Sequence, residues 1–250
     1  MNPFFFEIHK NMPRQGPGGD IYTCKALRKI HRLLPEKPQV LDVGCGPGRQ
    51  TVALAYFLPN ASIHAIDIHQ PFLDALKPIL IQNEIANRVF LSADSMDALP
   101  FSKESFDVIW SEGALYIMGM QKASRYLRNF LKPGGFLVFS YLTWIKENPP
   151  KELVAYWRNV QKVQIGERAG NVASLDANGY DVMETFALPP CGWRNEYYTP
   201  LQTRLEMLRL KYPDDQEKIA VIEEDEQELE IYNTYNEFFS YVYYVCKKIG

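Results

Sequence analysis

The chain has 250 residues, a length that fits one large domain with a core needing no disulfide or metal staple. Its 27 Lys and Arg against 30 Asp and Glu leave a formal net charge of −3, which disfavours a nucleic-acid backbone as the main partner. No run approaches the ~18 apolar residues that span a bilayer, and the start from Met1 to Glu7 lacks the cationic lead of a secretory signal. The four cysteines, Cys24, Cys45, Cys191 and Cys246, lie far apart with no CxxC pair. That spacing points to thiols of a reducing, cytoplasmic setting and gives neither a zinc site nor a disulfide framework.

After a Gly/Pro-rich opening at Arg14–Asp20, Cys24, Leu27, His31 and Leu34 recur at helical spacing, with Asp20 as the expected N-cap. Short apolar runs then alternate with amphipathic stretches. Strands are expected at 40–43, 63–66, 89–91, 106–110 and 136–140. Helices are expected from near Arg49, from near Pro71, and over Gln121–Leu131, with Pro78 kinking or shortening the second. Such alternation gives a parallel sheet covered on both faces.

Beyond the breaker Asn148-Pro149-Pro150 the pattern changes. Leu153, Trp157 and Val160 mark one helix, and Leu201, Leu205, Leu208 and Tyr212 another. A longer helix carries Ile222, Leu229, Tyr232, Tyr235 and Phe239 on one side. Its acidic run Glu223-Glu224-Asp225-Glu226 with Glu228 is expected to be a solvated face, a partner surface being the alternative. Tyr180–Leu188 and Tyr241–Val245 are expected to pair as the last two strands. The chain is therefore expected to be a single α/β domain over 1–250. An N-terminal segment and helix occupy 1–34, the core 35–145, and helical insertions with two strands 146–250.

The most informative stretch is Val40-Leu41-Asp42-Val43-Gly44-Cys45-Gly46-Pro47-Gly48. A buried strand runs into glycines at alternate positions, which permit unusual φ and close approach of backbone to a ligand. Arg49 occupies the place where a dinucleotide fingerprint needs its third glycine, so nicotinamide chemistry is disfavoured.

These residues resemble motif I of the class I S-adenosylmethionine (SAM)-dependent methyltransferases. The other motifs follow in order: Asp67, Ala93-Asp94-Ser95-Met96, Phe106–Glu112, and Leu131-Lys132-Pro133-Gly134-Gly135. Among them the likeness is closest to the small-molecule enzymes of ubiquinone and menaquinone biosynthesis. Arg14–Gly18 and Trp110–Tyr116 resemble a bacterial subgroup of that kind.

The resemblance implies a doubly wound, mostly parallel seven-stranded sheet with helical lid insertions. It implies SAM as cofactor and S-adenosylhomocysteine (SAH) as product. The cofactor residues would be Arg14, Gln15, Asp42, Gly44, Cys45, Gly46, Gly48, Asp67, Ile68, Asp94, Ser95, Met96 and Glu112. In that set Arg14 lies near the methionine carboxylate and Asp67 on the ribose, while Ile68 and Met96 sandwich the adenine. Glu112 and Tyr116 are the catalytic candidates, Glu112 being either a base or polar contact, or a structural carboxylate. Tyr116, Tyr141, Trp144 and Tyr197 are expected to line the acceptor pocket, with no metal. The expected function is in-line methyl transfer to a small, partly apolar molecule; a non-catalytic SAM or SAH sensor is the alternative.

Overall fold

The computed structural model describes residues 3–10, 12 and 14–250, so residues 1, 2, 11 and 13 of the expected lid segment lie outside the described residues. Helix α1 (Pro3–Ile8) and helix α2 (Asp20–Leu27) precede strand β1 (Gln39–Val43). Then come α3 (Arg49–Phe57), β2 (Ser62–Ile66), α4 (Gln70–Gln82), β3 (Val89–Ser92), β4 (Phe106–Glu112), α5 (Met120–Leu127) and β5 (Leu131–Trp144). The remainder holds α6 (Lys151–Ala155), β6 (Gly166–Glu167), α7 (Arg168–Ala177), β7 (Tyr180–Ala187), α8 (Pro190–Trp193), α9 (Thr199–Lys211), α10 (Gln216–Tyr235) and β8 (Phe239–Lys248).

The strands form one sheet in the order β3-β2-β1-β4-β5-β8-β7, with the two-residue β6 beside the end of β5. Every pairing from β3 to β5 is parallel, whereas β8 runs antiparallel between β5 and β7. Alternate residues feed two cores, as the two-residue period of a strand requires. Val40, Val108, Trp110, Val138 and Tyr243 enter one cluster with the N-terminal and late helices. Leu41, Ile109, Phe139, Tyr141 and Tyr244 enter the other with α5 and α7. The chain leaves β1 toward β2 and β3, then returns to β1's other side as β4. That reversal opens a crevice at the carboxyl ends of β1 and β4, where open α/β sheets bind ligands.

The mostly parallel sheet and the pairing of the last two strands agree with the sequence reading. Several local expectations do not. Asp20 is the first helical residue and not the cap; Gly19 holds the cap position, and the Asp20 carboxylate turns to Arg14 and Arg49. The helix expected through Leu34 stops at Leu27 and resumes only as a short turn at His31–Leu33. Pro78 does not shorten α4, which runs on to Gln82; Asp74, whose carbonyl a proline at 78 leaves without its helical donor, lies on the exposed side. The unexpected pair β6–α7 is tied down by Asn171, whose amide reaches the Tyr244 hydroxyl at 2.9 Å.

Candidate active site

The glycine turn begins where β1 ends. Gly44 and Gly46 have φ of 69° and 54°, a left-handed conformation that side chains resist. A Cβ on Gly44 would come within 2.5 Å of Ala114 Cβ, so this glycine lets the turn after β4 close against the turn after β1. Gly46 differs: a Cβ there would meet only Gln15 Cγ, at 3.4 Å, and otherwise projects into open space. Asp42 supports the turn from behind. Its buried carboxylate accepts from Thr51 at 2.5 Å and Gln50 at 3.4 Å. Burial pushes its pKa up to about 7 against the pull of those bonds.

In front of the turn lies a cavity of about 530 Å³, within the range of small-molecule sites. It is lined by Arg14, Gln15, Gly44, Cys45, Gly46, Asp67, Ile68, Asp94, Ser95, Met96 and Glu112, so eleven expected cofactor residues converge from five separate segments. Two do not line it. Asp42 is held behind the loop by Thr51 and Gln50, and Gly48 faces Leu76 of α4, where its bare Cα allows α3 and α4 to approach. The Asp67 carboxylate bridges two loops, accepting from Gly46 N at 2.9 Å and His69 N at 2.8 Å. Each oxygen keeps a further lone pair. Two buried polar atoms beside the turn, Arg14 Nε and Gln15 Oε1, have no protein partner. A cradle that spares a side chain at Gly46, with an unpaired donor and acceptor at its edge, fits an amino-acid-bearing nucleoside such as SAM.

The Arg14–Glu112 pair bears on the two roles open for Glu112. Arg14 Nη1 donates to Glu112 Oε2 at 2.8 Å, and both side chains are almost fully buried. The other oxygen, Oε1, accepts from Thr23 Oγ1 at 2.6 Å and Trp110 Nε1 at 3.0 Å. A carboxylate engaged by three donors is an anchor, which is the structural alternative, made with side chains and not with backbone. Arg14 in turn donates from Nη2 to Asp20, and its Nε is the guanidinium nitrogen left without a partner among the described residues.

Of the expected acceptor-pocket residues, Tyr116 and Tyr197 line the cavity and Tyr141 and Trp144 do not. Strand alternation explains Tyr141, which enters the core on the opposite face, while its neighbour Leu142 lines the cavity. Trp144, one pleat further, turns its ring edge-on to Phe239 at 6.3 Å. In their place stand Trp157, Gln161, Val163, Trp193, Tyr241 and one face of α10. Helix α1 also closes on the rim, where Phe6 stacks on His69 with ring centroids 3.4 Å apart.

The α10 wall overturns the reading of the acidic run as wholly solvated. Val221, Glu224, Asp225 and Glu228 recur at helical spacing and line the cavity, while Glu223 and Glu226 pair with Arg209 outside. That spacing was legible, but not the face it marked. Asp225 Oδ2 is sealed from solvent and has no partner. Burial, reinforced by Glu228, Glu224 and Glu226, raises the Asp225 carboxyl to about 7. Burial also raises Glu228, opposed by a hydrogen bond from Tyr198 Oη at 2.9 Å.

Comparison with known proteins accords with this geometry. A family model described as "Methyltransferase domain" matches residues 25–203. A malonyl-[acyl-carrier protein] O-methyltransferase of Herminiimonas arsenicoxydans is 36% identical over 124 residues, covering 49% of this chain and 45% of that protein. The chain thus spans about half the length of the curated relatives it matches. A SAM-dependent methyltransferase of Geobacter sulfurreducens, solved with SAH, superposes with a TM-score of 0.84 at 20% identity, covering 99% of this chain and 98% of the other. The YjhP protein of E. coli superposes with a TM-score of 0.85 at 21% identity, over 99% and 100% of the two chains. No helix of the described residues is long and apolar enough to cross a membrane. With the matched region spanning β1 to β7, the glycine turn and most of the cavity wall, the chain belongs to the methyltransferase-domain family.

Proposed function

We propose that this chain transfers the methyl group of SAM to a small, partly apolar acceptor carrying an amine. SAM, when bound, supplies the methyl group and its sulfonium leaving group. The chain's part is to align donor and acceptor, exclude water and dispose of a proton. Gly44, Cys45 and Gly46 would hold the cofactor's amino-acid end, with Gln15 Oε1 free to accept from its ammonium. Asp67 would take the ribose hydroxyls, and Asp94, Ser95, Met96 and Ile68 would surround the adenine. The cavity runs on past this set to an aromatic wall, which suits turnover better than a sealed sensor. The unpaired cysteines suit a cytoplasmic setting, and no nucleic-acid partner is proposed.

The observation that carries the acceptor class is the α10 wall. Glu224, Asp225 and Glu228 share that end with Tyr116, Tyr197, Tyr241, Trp157 and Trp193, with no lysine or arginine among them. Carboxylates beside aromatic faces recognise cations. An anionic acceptor, such as the malonyl group named in the relatives, would meet like charge. With SAH bound, phenethylamine should bind at least about tenfold tighter than phenethyl alcohol or phenylpropionate by calorimetry, and Asp225→Asn should erase the preference. The affinity should rise as pH passes about 7, because below that value a proton on Asp225 stands where the ammonium is wanted. Equal affinity for amine and alcohol would remove the amine class. Labelled-methyl transfer from SAM into a pool of aromatic amines tests turnover itself.

A second expectation concerns the ribose site. Asp67→Ala should weaken SAM and SAH equally, by about 1.5–3 kcal/mol for charge-assisted hydrogen bonds lost from a partly buried carboxylate. A loss confined to one ligand contradicts the assignment, since the ribose is common to both.

A further inference from the structure

Tyr197 lines the acceptor end of the cavity, and its hydroxyl lies 3.2 Å from Nε2 of His9, whose residue is 1% exposed. The other ring nitrogen, Nδ1, lies 2.9 Å from the Phe5 carbonyl oxygen. A carbonyl oxygen only accepts, so Nδ1 carries the proton. Burial lowers the pKa of the ring, which is therefore neutral at physiological pH and leaves a lone pair on Nε2. The Tyr197 O–H must then donate to Nε2, because nothing else in the pair can. A phenol whose proton is spent in this way has only lone pairs left to offer. The groups whose fields reach that hydroxyl are Glu228, Asp225, Tyr241 and Tyr116, all of which line the cavity.

We infer that His9 fixes the Tyr197 hydroxyl as a hydrogen-bond acceptor toward the cavity, so that the pocket selects acceptors bringing an N–H donor, and does so only while α1 is docked. The coupling to docking follows from the chain path. His9 directly follows α1, which is fastened by Phe6 on His69 and by Glu7, whose carboxylate accepts from Lys211 and Tyr212, both at 2.8 Å. An undocked α1 would remove Nε2, and the Tyr197 proton would be free to point into the pocket. The hydroxyl would then be free to offer either its proton or a lone pair, so the pocket would lose its bias toward acceptors that bring N–H donors. The inference rests on the amine reading of the acceptor and specifies which atoms of the amine are read.

The test uses SAH-loaded protein and two probes with the same ring and charge: phenethylamine, which has N–H donors, and its N,N,N-trimethyl derivative, which has none. Tyr197→Phe and His9→Asn should each weaken phenethylamine about tenfold, with the quaternary probe within about twofold of wild type. Asn is chosen because its amide still donates to the Phe5 carbonyl but offers Tyr197 nothing equivalent to Nε2. In ¹⁵N-histidine NMR of the wild type, His9 should show a protonated Nδ1 and a bare Nε2 over the neutral range. Equal weakening of both probes, or a ring protonated on Nε2, overturns the inference. Failure of the wild type to bind either probe while SAH still binds overturns the amine reading and the ligand selection with it. The NMR tautomer then decides the His9–Tyr197 arrangement separately.

Discussion

Gly46→Val should lose SAM and SAH binding by at least roughly a hundredfold, about 2.8 kcal/mol, in a protein that remains folded. Two effects act at this position. The residue has a φ of 54°, which a β-branched side chain resists, so the turn itself is strained. The added atoms then have nowhere to go but the cavity, since a Cβ there meets only Gln15 at 3.4 Å. Displacement of the turn would also pull Gly46 N from its 2.9 Å bond to Asp67, loosening the ribose site. Gly134 separates strain from occlusion. Its φ is 73°, and a Cβ there would approach only Lys247, at 3.8 Å, far from the cavity. Gly134→Val should therefore carry a comparable backbone penalty in urea titration and leave the SAM affinity unchanged. Calorimetry giving wild-type affinity for a folded Gly46→Val variant would remove the turn from the cofactor site.

The contrast between Gly46 and Gly48 also marks how far the sequence could be read. The succession of strands along the chain and the turn after β1 follow from local pattern, and the acid at position 67 from the family resemblance. A strand buried on both faces is a continuous apolar run, and a glycine turn interrupts it abruptly. Which glycine faces a ligand is not local: Gly48 is spoken for by Leu76, twenty-eight residues on, and nothing in the turn announces it. Asp42 is similar, since its partners Thr51 and Gln50 lie on the following helix.

The acceptor end was less legible still. Tyr141 and Leu142 are both apolar enough to be expected anywhere near a site, and a one-residue step decides which face of the sheet each occupies. The α10 wall was visible as charge but not as direction. A helix with acids on both flanks gives no sign of which flank a distant element covers until the insertion around Trp157 and Trp193 has folded against it.

Removal of the Glu112 carboxylate should cost more than any other single change considered. Glu112→Ala leaves Arg14 buried with its main counter-ion gone, and breaking a buried pair in this way costs about 3–5 kcal/mol. Thr23 and Trp110 lose their acceptor at the same stroke. The loss should concentrate in the N-terminal segment, because Arg14 is where that segment is tied to the end of β4. Its other ties are lighter: Gly18 N donates to the Gly192 carbonyl at 3.1 Å, and Asp20 is partly exposed where it meets Arg14 and Arg49. Hydrogen exchange should accordingly rise across residues 14–20 and the docked α1 while β1, β4 and β5 keep their protection. SAM binding should suffer through the same loosening, since Arg14 and Gln15 lie on the cavity wall. Saturating SAM should restore part of the protection, as closure over the ligand adds back contacts that the variant lacks. The double variant Arg14→Met, Glu112→Leu removes both charges and should recover much of the stability, because an apolar pair of similar volume pays no desolvation cost. Exchange that rises throughout the sheet while residues 14–20 are unaffected would show the carboxylate to be a strand anchor. The arm would then be held chiefly by the ties of α1, namely Phe6 on His69, Glu7 with Lys211 and Tyr212, and His9 with Tyr197.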